Sequence, residues 1–260
     1  MNFIDTHCHI ISGVDDGPAD MGTSIEMARL ASGDGIKTIV ATPHIVEGYY
    51  DGGDREERLR LLAGKLSESG ISLDLVAGAE VPMSACLGWD ADRLRSLAIN
   101  GGIYLLMETA DTTFDQLAQA VYKVRLCGLY PILAHPERML FVQKNHERLT
   151  ELVDRGEVFC QLTAASIDGT LGKALQKSSL AMARAGLMHL VASDAHSTGR
   201  RKPRLSDAFE LLRSELGENT ARMVTVDNPG RVLESRELDR VRPRADVSGR
   251  GLLARFLHRR

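Results

Sequence analysis

Thr6-His7-Cys8-His9 and Ser193-Asp194-Ala195-His196 each set two metal-capable side chains two residues apart. In an extended segment such residues point to one face, so each pair can close on one ion. Taken alone, either pair is equally a polar strand end. Val14-Asp15-Asp16-Gly17-Pro18 adds carboxylates, although Asp-Asp-Gly-Pro is also common turn chemistry with an aspartate cap. Ala41-Thr42-Pro43-His44 ends an apolar run at a proline that fixes the approach to His44. Glu80, in Ala77-Gly78-Ala79-Glu80, and Glu108, in Leu105-Leu106-Met107-Glu108, each close an apolar run with a carboxylate. A buried carboxylate needs a cationic partner, which a salt bridge or a metal would supply. In Ala134-His135-Pro136-Glu137-Arg138, His135 reads as a ligand. Arg138 reads as a phosphate clamp or as a salt-bridge partner of Glu137 or Glu108.

No one of these motifs decides the matter, but their placement does. Candidate strands run over Asn2–Thr6, Lys37–Ala41, Ser72–Ala77, Ile103–Met107, Leu129–Ala134, Val158–Gln161 and Leu187–Ala192. Five of the eight histidines fall at or just past the end of one of them. Between the strands, Met21–Ser32, Glu56–Glu68, Phe114–Cys127, Asn145–Arg155, Leu171–Ala185 and Ser206–Leu216 carry apolar residues at helical spacing. Strand and helix alternating about seven times implies a parallel sheet with helical crossovers. A closed or distorted β/α barrel is the leading architecture, with an open doubly wound sheet as the alternative. Barrels place their chemistry at the carboxyl ends of the strands, which is where these His, Asp and Glu residues converge. The expectation is a multinuclear metal centre.

A chain of 260 residues with 43% hydrophobic and 26% charged side chains has globular composition and room for one large domain. No run of about 18 apolar residues occurs, so no transmembrane helix is expected. Met1 leads directly into Asn2-Phe3-Ile4-Asp5 with no basic and apolar leader, which predicts a cytoplasmic protein. Cys8, Cys86, Cys127 and Cys160 lie far apart without a CxxC pair, and read as small buried apolar residues. The positions six beyond them are Val14, Asp92, Leu133 and Ser166. The Cys-x5-Arg loop of thiolate phosphatases is therefore absent. Residues 236–260 carry eight arginines against Glu237, Asp239 and Asp246, a net +5, which leaves −8 on residues 1–235. The division is thus a catalytic domain over 1–235 and a mobile basic tail over 236–260. The tail could meet an acidic partner segment or an anionic membrane surface. An acidic body with 5% aromatic residues argues against nucleic-acid binding.

The segments Phe3-Ile4-Asp5-Thr6-His7-Cys8-His9-Ile10, Gly13-Val14-Asp15-Asp16-Gly17-Pro18, Ser24-Ile25-Glu26-Met27-Ala28-Arg29, Ala41-Thr42-Pro43-His44, Ala134-His135-Pro136-Glu137-Arg138 and Ser193-Asp194-Ala195-His196 resemble the polymerase and histidinol phosphatase (PHP) superfamily. Within it, the chain is most similar to bacterial tyrosine-protein phosphatases encoded with capsule and exopolysaccharide genes, from Met1 to about Arg231. The resemblance implies a distorted (β/α) TIM-like barrel of the PHP type, with about seven parallel strands. It implies up to three ions, manganese first, with iron, zinc or magnesium as alternatives. One ion would take His7, His9, Glu80 and Asp194; a second Glu80, Glu108 and His135; a third Asp16, His44 and His196. Arg138 matches the family arginine that holds phosphate. A second such arginine follows the Asp-Ala-His motif, and Arg200 is assigned to it ahead of Arg201.

The implied activity is hydrolysis of phosphotyrosine by metal-activated water, on a bacterial tyrosine kinase that controls capsule or exopolysaccharide synthesis. Glu26 and Arg29 resemble a motif linked to ring-like self-assembly, so a homo-oligomer is implied. Their other reading is a one-turn surface pair. Two rival functions share these ligands: a small-molecule phosphoesterase such as a histidinol-phosphate phosphatase, and a non-catalytic metal-containing binding module.

Overall fold

The structure, a computed structural model, describes residues 1–108 and 113–241. Among the described residues there are eight strands: β1 (Phe3–Cys8), β2 (Ile36–Ala41), β3 (Asp74–Ala77), β4 (Glu80–Pro82), β5 (Tyr104–Glu108), β6 (Tyr130–Ala134), β7 (Phe159–Thr163) and β8 (Leu190–Ala192). All pairings between them are parallel. They form two sheets, one ordered β1-β2-β3 and the other β4-β5-β6-β7-β8. The expectation of seven strands in one barrel is corrected on this point. The expected third strand, Ser72–Ala77, is β3, which pairs with β2; after a break at Gly78 and Ala79 the chain adds a further strand, β4, which pairs with β5. The break follows from packing. A Cβ on Gly78 would lie 2.8 Å from Val40 Cγ1, so only glycine lets the chain cross here.

The two sheets meet along two seams. On one side a single parallel bridge joins Cys8 to Ala195, with His9 N–H donating to the Ala195 carbonyl at 2.8 Å. On the other a single bridge joins His44 to Glu80. There Ile45 N–H donates to the Glu80 carbonyl and Glu80 N–H to the Pro43 carbonyl, both at 3.1 Å.

The helices cover the sheets as their periodicity predicts. Met21–Asp34 starts at Asp20, whose carboxylate accepts the Thr23 N–H, and stops at Gly35 in a left-handed conformation. It turns Met27, Ala28 and Ala31 inward. Arg55–Glu68 buries Leu59, Leu62 and Leu66, and Phe114–Leu126 buries Leu117, Ala120, Val121 and Val124. Strand side chains alternate between faces and so divide the core in two. Leu105, Met107, Leu133, Cys160 and Val191 pack in the larger, outer cluster. Tyr104, Leu106, Ile132, Phe159 and Leu190 form a smaller inner one. Glu108 and Gln161 each lie two residues beyond an inner-cluster residue, so parity sends them inward as well.

The inner cluster also takes in Leu238, and Val241 is buried in the outer one. Tyr104 Oη donates to the Arg236 carbonyl at 2.6 Å, and Asp239 N–H donates to Asn228 Oδ1 at 2.8 Å. The first six residues of the basic segment are thus packed on the body. The rest of the tail, including Gly251–Arg260, lies outside the described residues. Among the described residues, no helix is long and apolar enough to cross a membrane.

His189, just before β8, is fully buried. Its Nδ1 accepts the Cys160 N–H at 3.1 Å, and burial, with Arg240 nearby, pulls its pKa down to about 4. The unfolded chain takes up this proton near pH 6.5, whereas the folded chain refuses it until about pH 4. Stability is therefore present above pH 6.5 and is lost as pH falls, by about 1.4 kcal/mol per pH unit in that window. A urea midpoint followed from pH 7 to 5 should fall faster in the wild type than in His189→Gln. Parallel curves would refute this.

Candidate metal centre

Glu80 opens β4 at the seam between the sheets, and its side chain is fully buried. Its Oε2 lies 3.2 Å from each of His7 Nε2, His9 Nε2 and His44 Nδ1, and its Oε1 lies 3.0 Å from His135 Nε2. Four imidazoles from three loci therefore share one carboxylate. His7 is the last residue but one of β1 and His9 follows it, His44 follows β2, and His135 follows β6. His135 holds φ 40° and Asp194 φ 52°, left-handed conformations that cost non-glycine residues about 1–3 kcal/mol. Backbone strain at two strand ends, those of β6 and β8, is a mark of a working site.

The other expected ligands join the same cluster. Asp194 Oδ1 is 3.4 Å from His7 Nε2 and 3.8 Å from His196 Nδ1. Asp16 Oδ1 is 3.1 Å from His196 Nε2 and 3.6 Å from His44 Nε2. Glu108 Oε2 is 3.9 Å from His44 Nδ1. The rings of His9 and His196 stack at 3.7 Å. All nine residues thus surround one cavity of about 870 Å³ or lie directly behind its wall.

Among the described residues, two groups have ligand atoms close enough to share an ion: His9, Asp16, His44 and His196, and His7, His9 and Asp194. Hydrogen bonds behind the rings fix how the imidazoles present themselves. His7 Nδ1 lies 2.8 Å from Gln161 Oε1, His9 Nδ1 2.7 Å from Asp15 Oδ2, and His196 Nδ1 3.0 Å from the Asp194 carbonyl. Each partner is an acceptor, so each Nδ1 donates to it and Nε2 is the nitrogen each ring would present to an ion. His196 Nε2 is buried and has no hydrogen-bond partner among the described residues. A nitrogen left without a hydrogen bond beside the Asp16 carboxylate fits a metal ion.

The electrostatics favour cations. Burial opposes charge on His7 and His9, yet Glu80 and Asp194 outweigh it at His7, whose pKa is raised. At His9, the hydrogen bonds to Asp15 and Glu80 lift the pKa to about 10. Burial would raise the Glu80 carboxyl, but His7 and the hydrogen bonds from His135, His7 and His9 hold it well below the carboxylate range. Asp194 is held low in the same way by His7 and Arg138. His196 goes the other way: burial, then His9 and Arg201, bring it to about 4, so it stays neutral.

Two arginines stand on the rim. Arg138 donates to Asp194 Oδ2 at 2.6 Å and to Thr163 Oγ1 at 3.2 Å. Arg201 donates to Asp194 Oδ1 at 2.9 Å and lines the cavity. Arg200 does not reach it. Its guanidinium faces away and donates to the Thr170 carbonyl at 3.1 Å. Of these two neighbours on an exposed turn, Arg201 is the one that points into the cavity.

Sequence reasoning passed over Gln161 and undervalued Asp15. Gln161 was detectable as an amide on the inner face of an apolar strand. Asp15 is the buried member of the Asp-Asp pair. It accepts from His9, from the His44 N–H at 3.0 Å and from the Gly17 N–H at 2.9 Å. The four cysteines are buried, as expected. Burial pushes the Cys86 thiol up to about 12 and those of Cys8 and Cys160 well up, which disqualifies them as thiolate nucleophiles. Glu26 and Arg29 form an exposed pair at 3.3 Å.

Residues 3–234 match the family model for capsular polysaccharide synthesis, CpsB/CapC. The chain belongs to the CpsB/CapC family. Among its relatives is the tyrosine-protein phosphatase YwqE of Bacillus subtilis, 36% identical over 85% of this chain and 88% of YwqE. Another is the putative tyrosine-protein phosphatase CapC of Staphylococcus aureus, 32% identical over 79% of this chain and 82% of CapC. A chain from the crystal structures of YwqE and of Streptococcus pneumoniae CpsB, described as unique metal-dependent tyrosine phosphatases, superposes with a TM-score of 0.83. It covers 94% of this chain and 100% of its own, at 33% identity. This CpsB/CapC chain therefore shares both the sequence and the parallel α/β fold of metal-dependent enzymes.

Proposed function

We propose that this CpsB/CapC chain is a metal-dependent protein-tyrosine phosphatase of capsule or exopolysaccharide synthesis, acting in the cytoplasm on a bacterial tyrosine kinase. The observation that carries the reading is the Glu80 carboxylate shared by four imidazoles, with Arg138 and Arg201 above it. The two sheets, bridged at both seams, act as a distorted barrel that presents this cluster at its carboxyl end.

The ions, manganese first, are assigned to His7, His9, Glu80 and Asp194; to Glu80, Glu108 and His135; and to Asp16, His44 and His196. Bound there, they supply Lewis-acid activation of water and neutralise phosphoryl charge. The chain's own part is positioning. Gln161, Asp15 and the Asp194 carbonyl accept from Nδ1 of His7, His9 and His196, so that Nε2 is the nitrogen each ring would present to an ion. Arg138 and Arg201 exchange Asp194 for phosphate oxygens and hold the ester in line. A tyrosyl leaving group, with a pKa near about 10, departs without a dedicated acid. The exposed Glu26–Arg29 pair is available for self-assembly.

Metal-stripped protein should regain phosphate release from a phosphotyrosine peptide when manganese is added, and His7→Ala should not. Turnover of histidinol phosphate alone would transfer the chain to small-molecule metabolism. Retained metal without turnover of either substrate would leave a binding module.

A further inference from the structure

The cavity extends well past the metal centre. Its outer wall is formed by Phe114, Leu140, Phe141, Lys144 and Arg148. At about 870 Å³ it is near the upper end for a single small ligand, and so has room for more than one side chain. Leu140 is 67% exposed, unusual for a leucine beside a polar site. Phe114 and Phe141 meet edge to face at 5.9 Å, and the Arg148 guanidinium lies over the Phe114 ring at 3.8 Å.

The charge of this wall is opposite to that of the centre. Carboxylates dominate the inner end. At the outer end Arg148 shares its charge with Asp115 at 2.9 Å, while Lys144, which closes the helix Leu140–Lys144, pairs with no carboxylate among the described residues. An ester seated on Arg138 and Arg201 would lead its peptide out past this wall.

We infer that the outer wall is a substrate subsite selecting phosphotyrosine in an acidic sequence, with Leu140 and Phe141 packing on the peptide and Lys144 pairing with a flanking carboxylate. The inference rests on the phosphatase reading and adds the sequence context that the site reads. Two features support it: the continuity of one cavity from Glu80 to Arg148, and, among the described residues, the excess positive charge that Lys144 leaves at its mouth.

The test compares two fluorescein-labelled phosphotyrosine peptides, identical except that glutamates flank the phosphotyrosine in one and glutamines in the other. Affinity by anisotropy and turnover by phosphate release are measured on manganese-loaded enzyme. The wild type should prefer the glutamate peptide about threefold, the factor a solvent-exposed ion pair supplies, with the difference in KM rather than kcat. Lys144→Glu should reverse the preference. Lys65→Glu, on the exposed face of Arg55–Glu68, should keep it. The preference should shrink at high salt. Equal affinity for the two peptides in the wild type, or an unchanged preference in Lys144→Glu, overturns the inference. A preference seen in binding without turnover of either peptide supports the subsite while overturning the phosphatase reading.

Discussion

Replacing Glu80 by glutamine should lower kcat on a phosphotyrosine peptide by about 10³-fold or more. A single preorganised electrostatic group is commonly worth about 10²–10³, and Glu80 serves two of the three proposed ions. The substitution keeps the shape of the side chain and removes only its charge. Four imidazoles then face a neutral amide, and two of them, His7 and His9, have raised pKa values that depend on that charge. Metal content by elemental analysis should fall with the rate. The metal-free protein should also lose about 3–5 kcal/mol of unfolding free energy, as when one partner of a buried ion pair is removed. Full metal content and full rate in Glu80→Gln would remove Glu80 from the centre of this account.

The second large effect separates two neighbouring arginines. Arg201→Ala should lower kcat/KM by about 10²-fold, the lower end for losing one charged donor to a transferring phosphoryl group. Arg201→Lys should recover only part of it, because a point charge replaces a two-pronged donor. Arg200→Ala should stay within about twofold, since the Arg200 guanidinium is tied to the Thr170 carbonyl outside the cavity. Equal losses for both arginines would mean that the turn after His196 rearranges when substrate binds.

Much of this site was legible in the sequence because metal chemistry restricts residue types so severely. Only His, Asp and Glu at strand ends qualify, and the strands announce themselves as apolar β-branched runs. Residues that work by pairing over long separations were not legible. Gln161 reaches His7 across 154 positions, and Asp5 holds the Ser193 N–H across 188. Nothing local marks them, apart from a polar side chain on an inward-facing position. The choice between Asp15 and Asp16, or Arg200 and Arg201, depends on the direction in which one turn residue points, and adjacent residues on a turn diverge. The separate strand β4 escaped because Gly78 reads as an ordinary strand-end glycine until its contact with Val40 is seen. The short helices Met83–Gly88 and Ala91–Ser96 have too few turns to show a period.

The two seams give the centre a second role. Backbone pairing between the sheets is thinnest at Cys8–Ala195 and at His44–Glu80, and those bridges are flanked or formed by His7, His9, Asp194, His196, His44 and Glu80. A cation gripped by these side chains would rivet the two half-shells together where the hydrogen-bond ladder is weakest. Rate and mechanical integrity then become one property. Chelation would loosen the shell along both joints at once, and a cell short of the metal would lose the protein as well as its activity.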